Sequence, residues 1–382
     1  MANNISAISV SDSFFRTTSF ITTLNDNINT YTHTIDNFGG YVSASFSLSD
    51  SQENVEDWLS DGLGRHIEVY DEGQNKIWEG FVNQVDISLG SLSVKRGPLL
   101  DITNRVKVIF PIIVGLGFTP PIIGTATSTG IVDDTVSQGK YGIIYRVLDA
   151  GNSTVVNANE LANSYLANFK EPETSHSVNI GGGGDAPTAK VDCIGYYNFL
   201  KYPYSVATIG EQNLSTKIQD IITAEPNSII STDFTKITAN TLQVTTQEVD
   251  DNEGLSLIKG LLSLGDTSDN RYLFGVFNDK VAKYNVVPTT LEYQQRLSDP
   301  EGKIETLTGE RINPWNVMPG RWLLMNDFLI GKTIPTDLRL DQRAIFIERV
   351  TFTAPWGLTI EGGKSDTLPQ KFAKLGLGGI TV

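Results

Sequence analysis

The stretch from Asp251 to Pro288, DNEGLSLIKGLLSLGDTSDNRYLFGVFNDKVAKYNVVP, changes its hydrophobic period once, and that change decides the fold. Leu255, Ile258 and Leu262 recur at helical spacing, and Leu257, Leu261 and Leu264 widen the same apolar face. Asp251 or Asn252 is expected to cap the helix start, since a short acceptor side chain satisfies orphan backbone N–H groups. Gly265 follows the last apolar position, where a helix stop belongs. The period then drops to two. Tyr272 to Phe277 reads as a strand, Asn278-Asp279 as a tight turn, and Val281 to Val287 as the returning strand, ended by Pro288. An apolar helix leading straight into a hairpin needs a sheet to lie against. The unit contains no nucleophile–base pair and no ligand cluster, so its chemistry is packing.

The sequence around it is turn-rich and strand-rich. Residues 1–40 read as short edge strands or an extended arm. Val42, Ala44, Phe46 and Leu48 alternate with Ser43, Ser45 and Ser47, which predicts a strand with one dry and one wet face. Asp50 and Glu53 read as a capping box for a helix whose face is Val55, Trp58 and Leu59. From Arg65 to Val94 the pattern is a continuous antiparallel meander that turns at Glu72-Gly73 and Gly90-Ser91, and Pro98 breaks it. Leu99 to Ile109 reads as its closing segment.

The texture changes at Pro111, where prolines and glycines forbid long regular structure. Tyr141–Ala150 reads as a strand. Asn157, with Glu160 three residues on, is expected to cap a helix faced by Leu161, Tyr165, Leu166 and Phe169. Gly181–Gly184 reads as a loop, and Ala189–Tyr197 as a strand closing this second unit near 205. Leu214, Ile218, Ile221 and Ile222 predict another helix, 228–249 strands, and 321–329 and 343–354 the strongest strands of the last hundred residues. The expected fold is mainly β (α+β), with two or more β-barrel or sandwich domains and short helices. Its segments are 1–110, 111–205, 206–290 and 291–382.

Composition narrows the function classes. Among 382 residues 40% are hydrophobic and 19% charged, enough apolar material for real cores and too little charge for a disordered chain. The formal charge of −15 argues against a nucleic-acid reader, which needs a basic patch. Residues 211–270 carry ten acids and three bases. Cys193 is the only cysteine and sits in an apolar run, so it reads as a buried core thiol. The N-terminus lacks the pattern of a signal peptide, and Val108–Val114, the longest apolar stretch, is far short of a membrane span. Synthesis and folding in a host cytoplasm are expected.

The chemical search returns little. His33, His66 and His176 lie far apart in sequence and have no ligand at helical metal spacing. Gly181–Gly184 lacks the Lys-Ser/Thr of a phosphate cradle. Gly254–Ile258 lacks the second glycine of a nucleophile elbow. Asp250, Asp251, Glu253, Asp266 and Asp269 cluster at the two ends of one helix. Their spacing fits neither a calcium loop nor a glycosidase carboxylate pair, and caps and solvated turns explain them. Trp58, Trp78, Trp315, Trp322 and Trp356 read as core residues by default. No catalytic, cofactor or metal residue is assigned, and no enzymatic activity is expected.

Several stretches together resemble bacteriophage tail hub (baseplate hub) proteins. IWEGFVNQVDISLGSLSVKRGPLLDITNRV is similar to that family's N-terminal barrel. YGIIYRVLDAGNSTVVNANELANSYLANF resembles its strand followed by a helix, VDCIGYYNFL the strand that closes the same barrel, and 254–288 the helix and hairpin that return the chain to the hub. The resemblance covers much of 65–290 and is one of texture rather than of a catalytic signature. It implies a structural virion protein at the tail tip, made of β-barrels that continue the tail tube as a ring of three copies. It also implies that the first barrel is interrupted by the second unit, so that 206–250 could return to complete it. Implied partners are other copies, the neighbouring tail tube, distal tail, tape-measure or fibre proteins, and DNA that passes at ejection without specific binding, with no membrane insertion. The acids of 211–270 are candidates for a phosphate-repelling lumen. The alternatives are a distal tail or tube-adaptor protein and a carbohydrate-binding receptor protein.

Overall fold

The structure, a computed structural model, describes residues 5–12, 20–24, 27–114, 122–179, 186–206, 210–246, 249–268, 270–296, 298–326 and 344–363. It opens with β1 (Ile5–Ser11), β2 (Phe20–Leu24), β3 (Ile28–Asp36) and β4 (Phe38–Ser49). In β4, Ala44, Phe46 and Leu48 are buried while the serines between them are not. Val42 departs from this alternation. The β3–β4 register shifts between Thr34 and Ile35, so Tyr41 enters the core and Val42 packs on a second core. α1 (Gln52–Asp61) buries Val55 and Trp58. Its cap is Ser51, whose Oγ accepts from Asn54 N at 3.3 Å, one residue later than expected. Asp50 instead accepts from Ser51 N and from the Asn54 and Asn27 side chains.

β5 (His66–Asp71), β6 (Lys76–Leu89) and β7 (Leu92–Arg96) form the expected meander. The segment after Pro98 does not close it. A 3-10 turn at Leu99–Asp101 leads into β8 (Arg105–Val114), which starts a separate sheet with β9 (Ile122–Ser128), β10 (Val132–Asp133) and, past α2 (Thr135–Tyr141), β11 (Tyr145–Asp149). Val106, Val108 and Phe110 pack under α3 (Val155–Phe169). The α3 cap is Thr154, whose Oγ1 accepts from Asn157 N at 3.2 Å. Its buried face is Ala158, Ala162 and Leu166. Two alanines let the helix approach β8 closely, which leaves Leu161 and Phe169 of the expected face exposed.

β12 (Thr174–Val178) pairs with β7, and β13 (Thr188–Ile194) lies antiparallel between β6 and β4. The sequence reading gave residues 189–197 to a second unit. Instead Ala189, Val191 and Cys193 of β13 complete the first core, because only this strand offers an apolar face between those two neighbours. The Gly181–Gly184 loop lies outside the described residues.

A 3-10 helix at Tyr196–Lys201 leads to β14 (Pro203–Val206), β15 (Gly210–Asn213), α4 (Leu214–Thr223), β16 (Gln243–Thr246), β17 (Val249–Glu253), α5 (Gly254–Leu264), β18 (Tyr272–Val276), a 3-10 turn at Asn278–Lys280 and β19 (Ala282–Val286). The organising unit therefore forms as read, apart from its cap. Asp251 lies in β17 at φ 54°, and Glu253 takes the cap position without a side-chain bond to a backbone N–H of the helix. α4 and α5 share one core through Ile218, Ile221, Ile258 and Leu261. Most of 228–242, expected as strands, is irregular and touches the hairpin through bridges such as Ile237–Tyr284 and through side chains such as Asn240, which donates to Tyr284 OH. These residues build the α4–α5 core rather than the first barrel. β18 joins the first sheet by pairing parallel with the start of β4, Phe274 to Phe38 and Val276 to Gly40.

The C-terminal part supplies β20 (Tyr293–Gln295), β21 (Ile304–Thr306), β22 (Trp322–Met325), β23 (Ala344–Thr353) and β24 (Gly357–Gly363). β23 pairs with β3, so the end of the chain also closes on its beginning. The large sheet runs β2-β1-β5-β6-β13-β4-β3-β23-β22-β20-β21 with branches at β7, β18 and β24, which makes the protein mainly β.

Candidate functional site

Two features stand out: a buried ionic junction and a bare polar sheet face. The junction begins with β5 and the start of β6, which carry charge among apolar neighbours. Glu68 and Glu79 are both buried. Lys76 Nζ lies 2.5 Å from Glu68 Oε1, 3.1 Å from Glu79 Oε2 and 2.9 Å from Asp279 Oδ1. Asp279 and Lys280 hold positive φ, 62° and 58°, and β6 pins this turn. Asp279 N donates to Glu79 Oε2 at 2.6 Å, Asn278 Nδ2 to Lys76 O at 3.1 Å, and Tyr41 OH to Asn278 Oδ1. The hairpin of the organising unit thus docks its tip on β5 and β6 of the first sheet. Burial works against the Lys76 ammonium, but Glu79, Glu68 and Asp279 outweigh it and raise its pKa. Burial opposes the Glu68 carboxylate as well, yet bonds from His66, Lys76 and Tyr70 hold it down at about 2.

His66, Glu68 and Glu79 are the one group among the described residues that combines three potential metal ligands. The Lys76 ammonium sits on two of these carboxylates, and it and a divalent cation cannot share them. His66 Nδ1 faces Tyr196 OH at 2.5 Å, which makes it part of the packing. His33 is buried against Phe352 and meets Tyr31 OH at 2.9 Å, and burial pulls its pKa down to about 3. His176 is exposed on β12. The three histidines do not gather.

Several acids of 211–270 are engaged one by one. Asp251 bonds Lys107 Nζ at 2.5 Å and Tyr145 OH at 2.7 Å. Glu225 accepts from Asn227 N and Ile229 N within its own loop. Asp266 accepts from Ser268 N, Asn270 N and Tyr272 OH; burial opposes its charge, but these bonds hold its pKa down at about 2. Glu253 accepts from Ser256 Oγ. The Asp269 position and the Asp250 side chain lie outside the described residues. Of the tryptophans, Trp58, Trp78 and Trp315 are buried, while Trp356 is 52% exposed beneath the Arg311 guanidinium.

The second feature is the sheet itself. Two antiparallel branches leave the same edge of β6, β5-β1-β2 from its first half and β7-β12 from its second half, while β13 takes its other edge. Among the described residues β2 pairs only with β1, and β12 only with β7. All five residues of β12 are exposed. Gly97 N bonds Glu173 O and Asn179 N bonds Ser91 O. By the alternation of an antiparallel ladder, Ser175 and Ser177 then face β7, while the backbone groups of Thr174, His176 and Val178 point to the open side. Neither edge, FITTL nor TSHSV, carries the Lys or Pro that guards edges against pairing.

Away from the core this sheet shows short polar side chains. Pairing aligns one row from Thr353 through Thr32, Ser45 and Asp192 to Gln84. A second runs from Thr30 through Ser47, Lys190 and Asp86 to Lys95 and Ser175. The second row borders a hollow of about 470 Å³, lined by residues of β4, β6, β7, β12 and β13, so the face is concave there. Lys190 pairs with Asp192 at 3.3 Å. Alternation in the sequence foretold the wet face of β4. It could not show which strands extend it.

No family model and no curated protein matches the sequence. Several solved structures are similar to it, three of them as follows. They are the 43 kDa tail protein of prophage MuSo2 from Shewanella oneidensis, the tail protein from Neisseria meningitidis MC58, and prophage tail protein gp18 from Listeria monocytogenes EGD-e. The first is 9% identical, with a TM-score of 0.40 over 95% of this chain and 99% of that one. The second is 8% identical, with a TM-score of 0.40 over 95% and 98%. The third is 11% identical, with a TM-score of 0.37 over 98% and 100%.

Proposed function

We propose that this chain is a structural subunit of a phage tail tip, a hub protein that assembles edge to edge into a ring continuing the tail tube. The supporting observation is the pair of open, uncharged edge strands, β2 and β12, that end the two branches of β6. Such edges are templates for strand addition. Because the edges differ, β12 of one copy meets β2 of the next, a heterologous contact that closes into a ring when the rotation permits. Three copies is the number the sequence resemblance implies. The ring would pass DNA through its centre and contact neighbouring tail proteins on its two ends. The net charge of −15 suits a wall that does not retain phosphates. No reaction is assigned to the chain.

The test is the mass of the purified protein in solution over a range of concentrations, beside that of His176→Pro. Proline there removes a backbone N–H from the open side of β12 and none from the β7 ladder. The wild type is expected to form a closed ring, and the variant to remain monomeric with an unchanged circular dichroism spectrum and melting temperature. A wild type that is monomeric throughout, or a variant that assembles equally well, overturns the reading.

A further inference from the structure

We infer that the outer face of the β18–β19 hairpin holds a doubly charged tetrahedral oxyanion, a free phosphate or sulfate ion, between Lys236, Lys283 and Arg321. The hairpin commits its other face to the core, where Tyr272, Phe274, Ala282 and Tyr284 are buried. Its register then puts Leu273, Gly275, Lys283 and Asn285 on the outer face. The chain beside β19 follows the same alternation. Ile237 bridges Tyr284 in parallel and is buried with it, so Lys236 lies alongside Lys283 and Thr238 alongside Asn285. Thr238 Oγ1 donates to Asn285 Oδ1 at 3.0 Å. Gly320 lies against Leu273, and the segment it belongs to covers this face. Between them is a hollow of about 130 Å³, lined among others by Lys283, Arg321, Asn37 and Asn285.

Like charges on neighbouring strands are destabilising, yet here two ammonium groups sit side by side. Among the described residues neither forms an ion pair, and Lys283 Nζ lies instead 4.7 Å over the Phe277 ring. Burial disfavours the Lys283 ammonium, and Lys236 and Arg321 add to that. Asp36, which also lines the hollow, is taken by Arg349 at 2.9 Å, and Glu292 takes Arg321 at 3.2 Å. Asp233 is near enough to feel Lys236 but makes no ion pair with it. The ion pairs cancel, and the charges of Lys236 and Lys283 are left over in a chain whose formal charge is −15. A dianion neutralises both, whereas a carboxylate would neutralise one of them. The hollow has room for about four waters at the density of the liquid, so it fits a free ion and not the backbone of a duplex. The ammonium, guanidinium and amide N–H groups around it supply the charge-assisted hydrogen bonds that such an ion takes.

Equilibrium dialysis against radiolabelled phosphate at constant ionic strength and about pH 7.5, where phosphate carries nearly two charges, tests this. One saturable site per chain is expected, displaced by unlabelled sulfate and not by an equal concentration of acetate. Lys236→Met and Lys283→Met are each expected to weaken it roughly tenfold or more. Glu292→Gln frees the Arg321 guanidinium and is expected to tighten it. Lys236 is exposed, so its variant reports on the site even where Lys283→Met, at a half-buried position, fails to fold. No saturable binding, or binding that Lys236→Met leaves unchanged, overturns the inference. Displacement by glycerol phosphate as strong as by free phosphate overturns the assignment to the free ion. The binding is read per chain whatever the assembly state, so the result stands apart from the ring.

Discussion

Replacing Lys76 by methionine isolates the energetics of the junction between the first sheet and the hairpin. Lys76 meets three carboxylates, but they do not count equally. The Asp279 side chain is 78% exposed, so solvent screens that pair to a few tenths of a kcal/mol, on the order of an ordinary surface bridge. Glu79 is 2% exposed and Glu68 11%, and for these, losing the ammonium strands a charge in a poorly hydrated place. Glu68 keeps Tyr70 OH at 2.6 Å, and Glu79 keeps only the Asp279 N–H. Breaking a buried pair from one side costs about 3–5 kcal/mol. The pH dependence then separates this cause from lost packing. In the wild type, Glu68 is held at about 2, below its unfolded value. Its contribution is present above about pH 4.3 and is lost as the pH falls toward 2. The raised Lys76 contributes fully below about pH 10.4 and loses that contribution as the pH rises through its folded value. Across neutral pH both are intact. In Lys76→Met the stranded carboxylates prefer to be protonated, so the cost shrinks as the pH falls from 7 to about 4.5. Urea unfolding followed by tryptophan fluorescence, with fully buried Trp78 as a reporter in the barrel, measures this as a shift in midpoint at unchanged slope. Lys76→Met/Glu79→Gln is expected to recover part of the loss at pH 7. A cost below ~1 kcal/mol at pH 7, or one that stays level or grows on acidification, would refute the reasoning.

Gly40→Ala should weaken the joint between β4 and β18, because Gly40 sits at φ +82° and a Cβ there would lie 2.7 Å from Val276 N. A loss of about 1–3 kcal/mol is expected, read as a lower melting temperature. Asn240→Ala removes a side chain that is 2% exposed, holds Gly265 O and Tyr284 OH at 2.9 and 2.8 Å, and accepts from Leu242 N. With about 1–3 kcal/mol for each stranded buried group, the α4–α5 core should unfold at markedly lower urea. Ser51→Ala should cost about 1 kcal/mol through loss of the α1 cap. Glu53→Ala, which lacks a reciprocal bond to that cap, should cost less; equal effects in urea titrations would restore the capping box at Asp50.

Much of the fold was legible where period and turn chemistry agree. Alternation located β4, β5 and β6, and the switch from period 3.6 to 2 located α5, its Gly265 stop and the hairpin. The caps of α1 and α3 were misplaced by a few residues, because several polar residues crowd each start and only geometry selects the acceptor. The face of α3 was misread for a different reason. Larger apolar residues outweigh Ala158 and Ala162 in any hydrophobic pattern, yet small residues set the closest approach to β8.

Strand order was the least legible part, because it is a matter of long-range pairing. β13 closes the first sheet across roughly a hundred residues from its partners in β6, and β23 reaches β3 across more than three hundred. Nothing local to 188–194 distinguishes a strand that ends one unit from one that returns to another. The junction did leave a trace. Glu68 stands between Ile67 and Val69, and Glu79 follows Trp78, so each puts a charge inside an apolar strand segment. Such a residue must find an opposite charge, and Lys76 is the only Lys or Arg between Arg65 and Lys95. That much could have been read. The fourth member could not, since Asp279 lies 203 residues from Lys76 and becomes a partner only because β18 pairs with Gly40 and carries the turn to it. The hairpin tip and the first sheet thus specify each other: the sheet holds Asp279 and Lys280 in a backbone conformation they would not otherwise keep, and the turn supplies a backbone N–H to Glu79 and a third carboxylate to Lys76.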